Sequence, residues 1–427
     1  MKKLIISAFA LIVIALALFT SCGKDEVRVL NVYNWGEYIS DGEDDTFDTN
    51  AEFENYFNTY LAPEFGYKVK VNYTTYATNE DMYSRLASGA GDGVYDVIFP
   101  SDYMLQKMAE EDMLLSFNVA EEIENYQYID EQFKGLYYDP TEQYSVPYTY
   151  GVVGVIYNPT MMDPEDLDEE GNIKDPSWSF MWNPKYKGKI LQFNNPRDAF
   201  GTAMYYQNLD INSTDLDVWQ SALELLREQK PLLQGYVNDE IFNKMTSESA
   251  AIAAYYAGDY VTMASENENL KFYYPKEGSN VFVDAMCIPK TSKNPELAKA
   301  YINFMLSEEA AIANAVYIGY ASPNLLVRDS AEYIDEMGED AFNILYGHTI
   351  EEINAQYSYD PYYHSFDKDM HRNVNSLWEQ LKTQTDVELW VHISSITIVV
   401  GVLGACGYTI YVKRRRSKFY RLRDKKK

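Results

Sequence analysis

The chain has 427 residues, 46% apolar and 24% charged, with a formal net charge of −29. That length exceeds one ordinary core and predicts two lobes, and the composition excludes a disordered chain. The charge is uneven: residues 413–427 hold ten Lys/Arg and one Asp, so the chain before them carries −38. A body so acidic repels nucleic acid and attracts cations, although a merely solvated surface has the same balance. The 39 Tyr, 19 Phe and 6 Trp make 15% of the chain. Aromatic faces beside carboxylates suit amines, because an ammonium gains from the ring quadrupole and the charge together. Many of these rings simply pack. Cys22, Cys287 and Cys406 are far apart, and His348, His364, His371 and His392 show no ligand spacing, so neither a metal nor a cofactor is expected.

Met1-Lys2-Lys3 and the apolar run Leu4 to Phe19 read as a signal peptide over 1–21. Thr20-Ser21-Cys22-Gly23 resembles a bacterial lipobox, with Cys22 as the lipidated residue and Phe19 where Leu is usual. Strands are predicted at Arg28 to Trp35, Tyr67 to Tyr76 and Tyr95 to Phe99, from alternation and β-branched content. Helices are predicted between and after them, over 46–62, 79–86 and from a cap at Ser101 to about Met113. That order argues for a parallel sheet with helices on its faces. Tyr144 to Asn158 is a long extended run of the kind that crosses between lobes. Lys189 to Phe193, Ala250 to Tyr256 and Val281 to Ile288 read as strands, and Asp215 to Gln229 and Pro295 to Met305 as helices. Gly151 and Gly258 mark turns or close packing, and Cys287 a small buried hydrophobe. Leu389 to Val412 is 24 residues without Asp, Glu, Lys or Arg, and a basic tail over 413–427 follows. Trp390, Tyr408 and Tyr411 sit where interfacial anchors would, so the run reads as a transmembrane helix with the acidic body outside.

Open parallel sheets bind ligands at the carboxyl ends of their strands. Trp35-Gly36-Glu37-Tyr38, Pro100-Ser101-Asp102-Tyr103 and Asn195-Pro196-Arg197-Asp198 fall at such ends. Asp284 lies between Val283 and Ala285 on an apolar strand, and a lone acid there needs a cationic or hydrogen-bonded partner.

Six segments in order resemble the spermidine/putrescine-binding proteins of ABC importers: 30–39 (LNVYNWGEYI), 95–108 (YDVIFPSDYMLQKM), 144–151 (YSVPYTYG), 183–192 (NPKYKGKILQ), 273–289 (YYPKEGSNVFVDAMCIP) and 318–325 (IGYASPNL). The resemblance covers about 27–385 and implies an α/β, two-lobed, type II periplasmic-binding-protein clamshell with mixed, mostly parallel sheets. With the C-terminal transmembrane helix added, that is the expected fold class. The expected parts are signal peptide 1–21, lobe 1 at 27–146 and 285–322, lobe 2 at 147–284 and 323–385, span 389–412 and cytoplasmic tail 413–427.

Carried over by position, the resemblance implies aromatic walls at Trp35, Tyr38, Tyr103 and Tyr320. It implies carboxylates at Glu37, Asp198 and Asp284, and a polar contact at Ser101. Asn195 stands where the family often has an acid, Tyr256 and Phe282 where tryptophans are common, and Gly36 where a small hydroxyl residue is usual. These departures leave spermidine and putrescine both open, while Glu37 aligns with the spermidine-preferring branch. The implied role is non-enzymatic: a receptor on the bacterial membrane, its binding domain extracellular or periplasmic, handing polyamine to permease subunits. A same-fold receptor for another solute and a polyamine sensor remain alternatives. A hydrolase would need a nucleophile-elbow motif or a His partner for Ser101, and neither is evident.

Overall fold

The computed structural model describes residues 26–43 and 46–383, and beyond them 403, 408–409 and 412–413. Residues up to Asn375 belong to one compact unit, and a second unit starts at Ser376. The described part of the second is essentially the last turns of a helix over Lys368–Thr383.

The first unit is built on a 9-stranded sheet. Its strands are β1 (Val27–Trp35), β2 (Lys68–Tyr76), β3 (Val97–Ile98), β4 (Ser145–Tyr157), β5 (Ile190–Phe193), β6 (Leu233–Val237), β7 (Ile252–Tyr256), β8 (Lys271–Tyr273) and β9 (Val281–Cys287). In the first lobe β2, β1 and β3 run parallel, with β1 in the middle. In the second β6, β5 and β7 run parallel, with β5 in the middle. Each trio therefore has a strand order that reverses at its centre, the arrangement that opens a crevice at the carboxyl ends.

β4 and β9 join the trios. The first half of β4 pairs antiparallel with β9 from Ser145↔Cys287 to Val152↔Val281, and its second half pairs with β7 and β8. β9 closes the first lobe through Ile98↔Cys287. All thirteen residues of β4 are buried, as a strand covered on both faces must be. A register shift between Pro147 and Thr149 accommodates a proline that has no amide for the ladder.

The helices that position the site are α1 (Thr49–Tyr56), α2 (Asn79–Ala87), α3 (Asp102–Glu110), α4 (Pro196–Tyr206), α5 (Leu216–Gln229), α6 (Ala257–Glu266), α7 (Pro295–Met305) and α8 (Glu308–Ile318). The helix expected over 46–62 breaks into α1 and a π-helical turn at Phe57–Leu61, which keeps both Phe53 and Phe57 fully buried. Ser101 is the N-cap of α3 by backbone, but its side chain makes no cap bond. The hydroxyl instead accepts from Asn79 Nδ2 at 2.9 Å, and the Tyr103 amide turns to Asp102 Oδ1 at 2.7 Å.

Among the described residues no helix is long and apolar enough to cross a membrane. The C-terminal transmembrane helix in the expected fold class is therefore corrected: the two-lobed α/β architecture stands without it. Most of 389–412, the signal segment with Cys22, and the tail beyond Lys413 lie outside the described residues.

Candidate functional site

The carboxyl ends of β1 and β3 carry Trp35 to Tyr38 and Ser101 to Tyr103, and those of β5 and β7 carry Asn195 to Asp198 and Tyr256 to Asp259. β9 runs between the two sets with Phe282 and Asp284. Three aspartates there each accept a hydrogen bond from a phenol. Tyr38 donates to Asp284 Oδ2 at 2.6 Å, Tyr256 donates to Asp198 Oδ2, and Tyr320 donates to Asp259 Oδ2 at 2.8 Å. The rings form one row: Tyr256 to Phe282 at 5.5 Å, Phe282 to Tyr320 at 5.8 Å, and Tyr320 to Tyr38 at 6.2 Å.

Two glycines let the row pack flat on backbone. A Cβ at Gly151 would lie 2.5 Å from the Phe282 ring, and one at Gly258 2.7 Å from the Tyr320 ring. Both contacts are closer than carbon atoms tolerate. The rings meet one another rather than enclosing an open chamber. A tight crevice adjoins the row at Asp198, bounded also by Gly201, Tyr205, Asn280 and Tyr363.

Asp284 is 5% exposed, and its Oδ1 is buried without a hydrogen-bond partner. Burial pushes its pKa up to about 6, against the lowering effect of Ser101 and Tyr38. Ser101 faces it across an isolated antiparallel bridge. The Tyr38 hydroxyl is also 2.6 Å from Thr149 Oγ1 on β4; with the phenol proton given to Asp284, Thr149 is the donor of that second bond.

Asp198 is raised by burial as well, and held down by Tyr256, Asn195 and Arg197. Asn195 caps α4: its Oδ1 accepts from the Asp198 amide at 2.9 Å and its Nδ2 donates to Asp198 Oδ2 at 2.7 Å. The amide thus orients the neighbouring carboxylate and adds no charge of its own.

Trp35 and Tyr103 stand on the first-lobe side. Trp35 Nε1 donates to the Phe99 carbonyl at 2.9 Å, and its ring lies 4.8 Å from that of Tyr76. The Tyr103 hydroxyl donates to Glu80 Oε1 and accepts from Asn79 Nδ2, both at 3.1 Å. Asn79 also bonds Ser101, so these side chains are tied to Asp284 through Ser101. Glu37 is exposed at φ 52°, its carboxylate accepting from Tyr317 at 3.1 Å.

The structure thus gathers Tyr38, Asn195, Asp198, Tyr256, Phe282, Asp284 and Tyr320, brings Trp35, Ser101 and Tyr103 to the flank, and leaves Glu37 at the rim. Sequence reasoning missed Asp259 and Thr149, and placed Asp102 at a strand end without giving it a role. Burial pushes Asp259 up to about 7, and Asp102, 1% exposed, well above the carboxylate range despite bonds from the amides of Tyr103 and Val283. Gly258 was the available signal for Asp259, since it flags a close approach one residue away. Arg197, half-buried between the rings of Tyr363 and Phe366 at 4.3 and 4.1 Å, donates from Nη1 to the His364 carbonyl and from Nη2 to Asn212 Oδ1, while its Nε has no partner among the described residues. Among the described residues no group of His, Cys, Asp and Glu is placed to hold a metal ion.

Two lobes joined by crossing strands, with carboxylates and rings facing a shared edge, define a receptor fold for small solutes. The chain belongs to the bacterial extracellular solute-binding proteins, whose family model matches residues 55–338. It is 29% identical over 355 residues to the spermidine/putrescine-binding periplasmic protein of Escherichia coli, covering 82% of this chain and 94% of that one. Among solved structures it is similar to the spermidine/putrescine ABC transporter substrate-binding protein PotD of Streptococcus pneumoniae, with TM-score 0.66, 31% identity, and 83% and 98% of the two chains covered. The TpPotD lipoprotein of Treponema pallidum matches with TM-score 0.61, 25% identity, and 83% and 99% covered. By their names these relatives are binding and transport proteins, not enzymes.

Proposed function

We propose that this chain binds a polyamine, spermidine or putrescine, between its lobes and delivers it to an ABC permease for import. The observation that carries the reading is the orphaned Oδ1 of Asp284. A buried carboxylate oxygen with no donor is costly, and a cationic N–H aimed at it removes that cost. A polyamine also matches the rest of the site, since its ammonium groups suit separated carboxylates and its methylenes suit the ring row. The names of the relatives at 29% and 31% identity support the same ligand class.

In this reading the ligand parts the rings of Tyr38, Tyr256, Phe282 and Tyr320. The segments 27–146 with 285–322 and 147–284 with 323–385 then close on it by bending β4 and β9. Titration calorimetry of the purified protein with putrescine, spermidine and spermine, with choline and a sugar as controls, tests the ligand. Micromolar or tighter amine binding, about −8 kcal/mol or better, is expected. Absence of heat with every amine sinks the reading, and binding of choline alone replaces it with a receptor for another cation. Co-purification of a permease with the chain tests delivery; its absence under conditions that sustain import counts against that step.

A further inference from the structure

The ring row has carboxylates at three places. Asp198 stands at the Tyr256 end, Asp284 at the Tyr38 end, and Asp259 at Tyr320 between them. Asp259 lies in the first turn of α6, where the helix N-terminus favours negative charge. One of its oxygens accepts from Tyr320 at 2.8 Å, and the other accepts no bond among the described residues. Gly258, one residue earlier, fixes the plane of the same ring from below. Tyr320 is thus set by backbone on its face and by Asp259 at its hydroxyl. Asn195 contributes an amide rather than a third acid at the far end. A diamine needs two carboxylates and a triamine needs a third between them, because its secondary ammonium lies between the primary ones.

Resting on the polyamine reading above, we propose that Asp259 is the specificity-determining residue. It positions Tyr320 and supplies the middle negative charge that selects a triamine such as spermidine over the diamine putrescine. Burial, aided by Asp239 and opposed by the Tyr320 phenol, holds its pKa near 7, so a bound ammonium also draws it to the charged form.

The test is calorimetry of the parent, Asp259→Asn and Asp259→Glu with both amines at pH 8. Asp259→Asn is expected to weaken spermidine at least tenfold and putrescine less than threefold, with Asp259→Glu retaining the parent's preference. A second readout is pH: the parent's preference fades as pH falls below 7, and that of Asp259→Asn does not change. Equal loss for both amines, or no loss for either, overturns the inference and leaves polyamine binding intact. A parent that binds neither amine overturns both. An unfolded Asp259→Asn leaves the decision to Asp259→Glu and the parent's pH profile, either of which contradicts the inference if the preference does not follow the charge.

Discussion

Asp139 and Asp284 are equally hidden, 4% and 5% exposed, yet they are built for opposite ends. Asp139 accepts from the amides of Gln143, Tyr144 and Ser145 at 2.9, 2.8 and 3.0 Å and from the Ser145 hydroxyl at 2.9 Å. It staples the loop that enters β4, and both its oxygens are occupied. Asp284 has one phenol donor and one bare oxygen. A buried acid is therefore not in itself a binding group. The two differ in the acceptor that the fold leaves empty on Asp284 and fills on Asp139.

Substitution should separate the two most sharply at Asp139. Asp139→Ala strands three backbone donors and is expected to cost about 3 kcal/mol of stability, read from the urea midpoint, while the folded fraction keeps its amine affinity. Loss of affinity with unchanged stability would invert the comparison. Asp284→Asn should do the reverse. Amine affinity falls at least tenfold, about 1.4 kcal/mol or more, and the unliganded protein melts no lower than the parent, because a neutral amide loses the desolvation penalty. Retained affinity in that variant removes Asp284 from the site.

The pH dependence follows from the raised pKa. Asp284 binds its proton more tightly folded than unfolded, so its stabilising contribution is complete below about pH 4 and is lost as pH rises through about 6. Over that interval the unliganded protein loses about 3 kcal/mol from this one group. Asp102, Asp198 and Asp259 shift in the same direction. Melting temperature without ligand should fall from pH 5 to pH 7.5, a saturating amine should flatten that slope, and amine affinity should weaken as pH drops through 6. A slope that ligand leaves untouched would separate these carboxylates from binding. The smallest effect is expected at Gly258→Ala, whose new methyl presses on the Tyr320 ring and costs about 1 kcal/mol of binding. Affinity within a factor of two of the parent would mean that the ring need not lie flat.

Much of the frame was legible because its signals are local. β1, β2, β4, β5, β7 and β9 alternate or run apolar, and α5 and α7 repeat at helical spacing. Asp284 stood out because an acid between Val283 and Ala285 has no local excuse. Asp259 did not, since an acid two residues into a helix is ordinary; its significance depends on Tyr320, 61 residues away. Ser101 was legible in part, since it is the N-cap of α3 by backbone. A serine before a helix reads as a cap, but Asn79 from α2 takes its hydroxyl. Glu37, legible from its place at the end of β1 as well as by resemblance, is exposed, with its carboxylate accepting from Tyr317.

The register shift in β4 has a mechanical side. Thr149, where pairing with β9 resumes after Pro147, bonds the very phenol that Asp284 holds. Anything that pulls Asp284 or Tyr38 toward a guest therefore tugs on the kinked point of the longest strand in the sheet. A single hydroxyl thereby ties the Asp284–Tyr38 pair to the kink of β4.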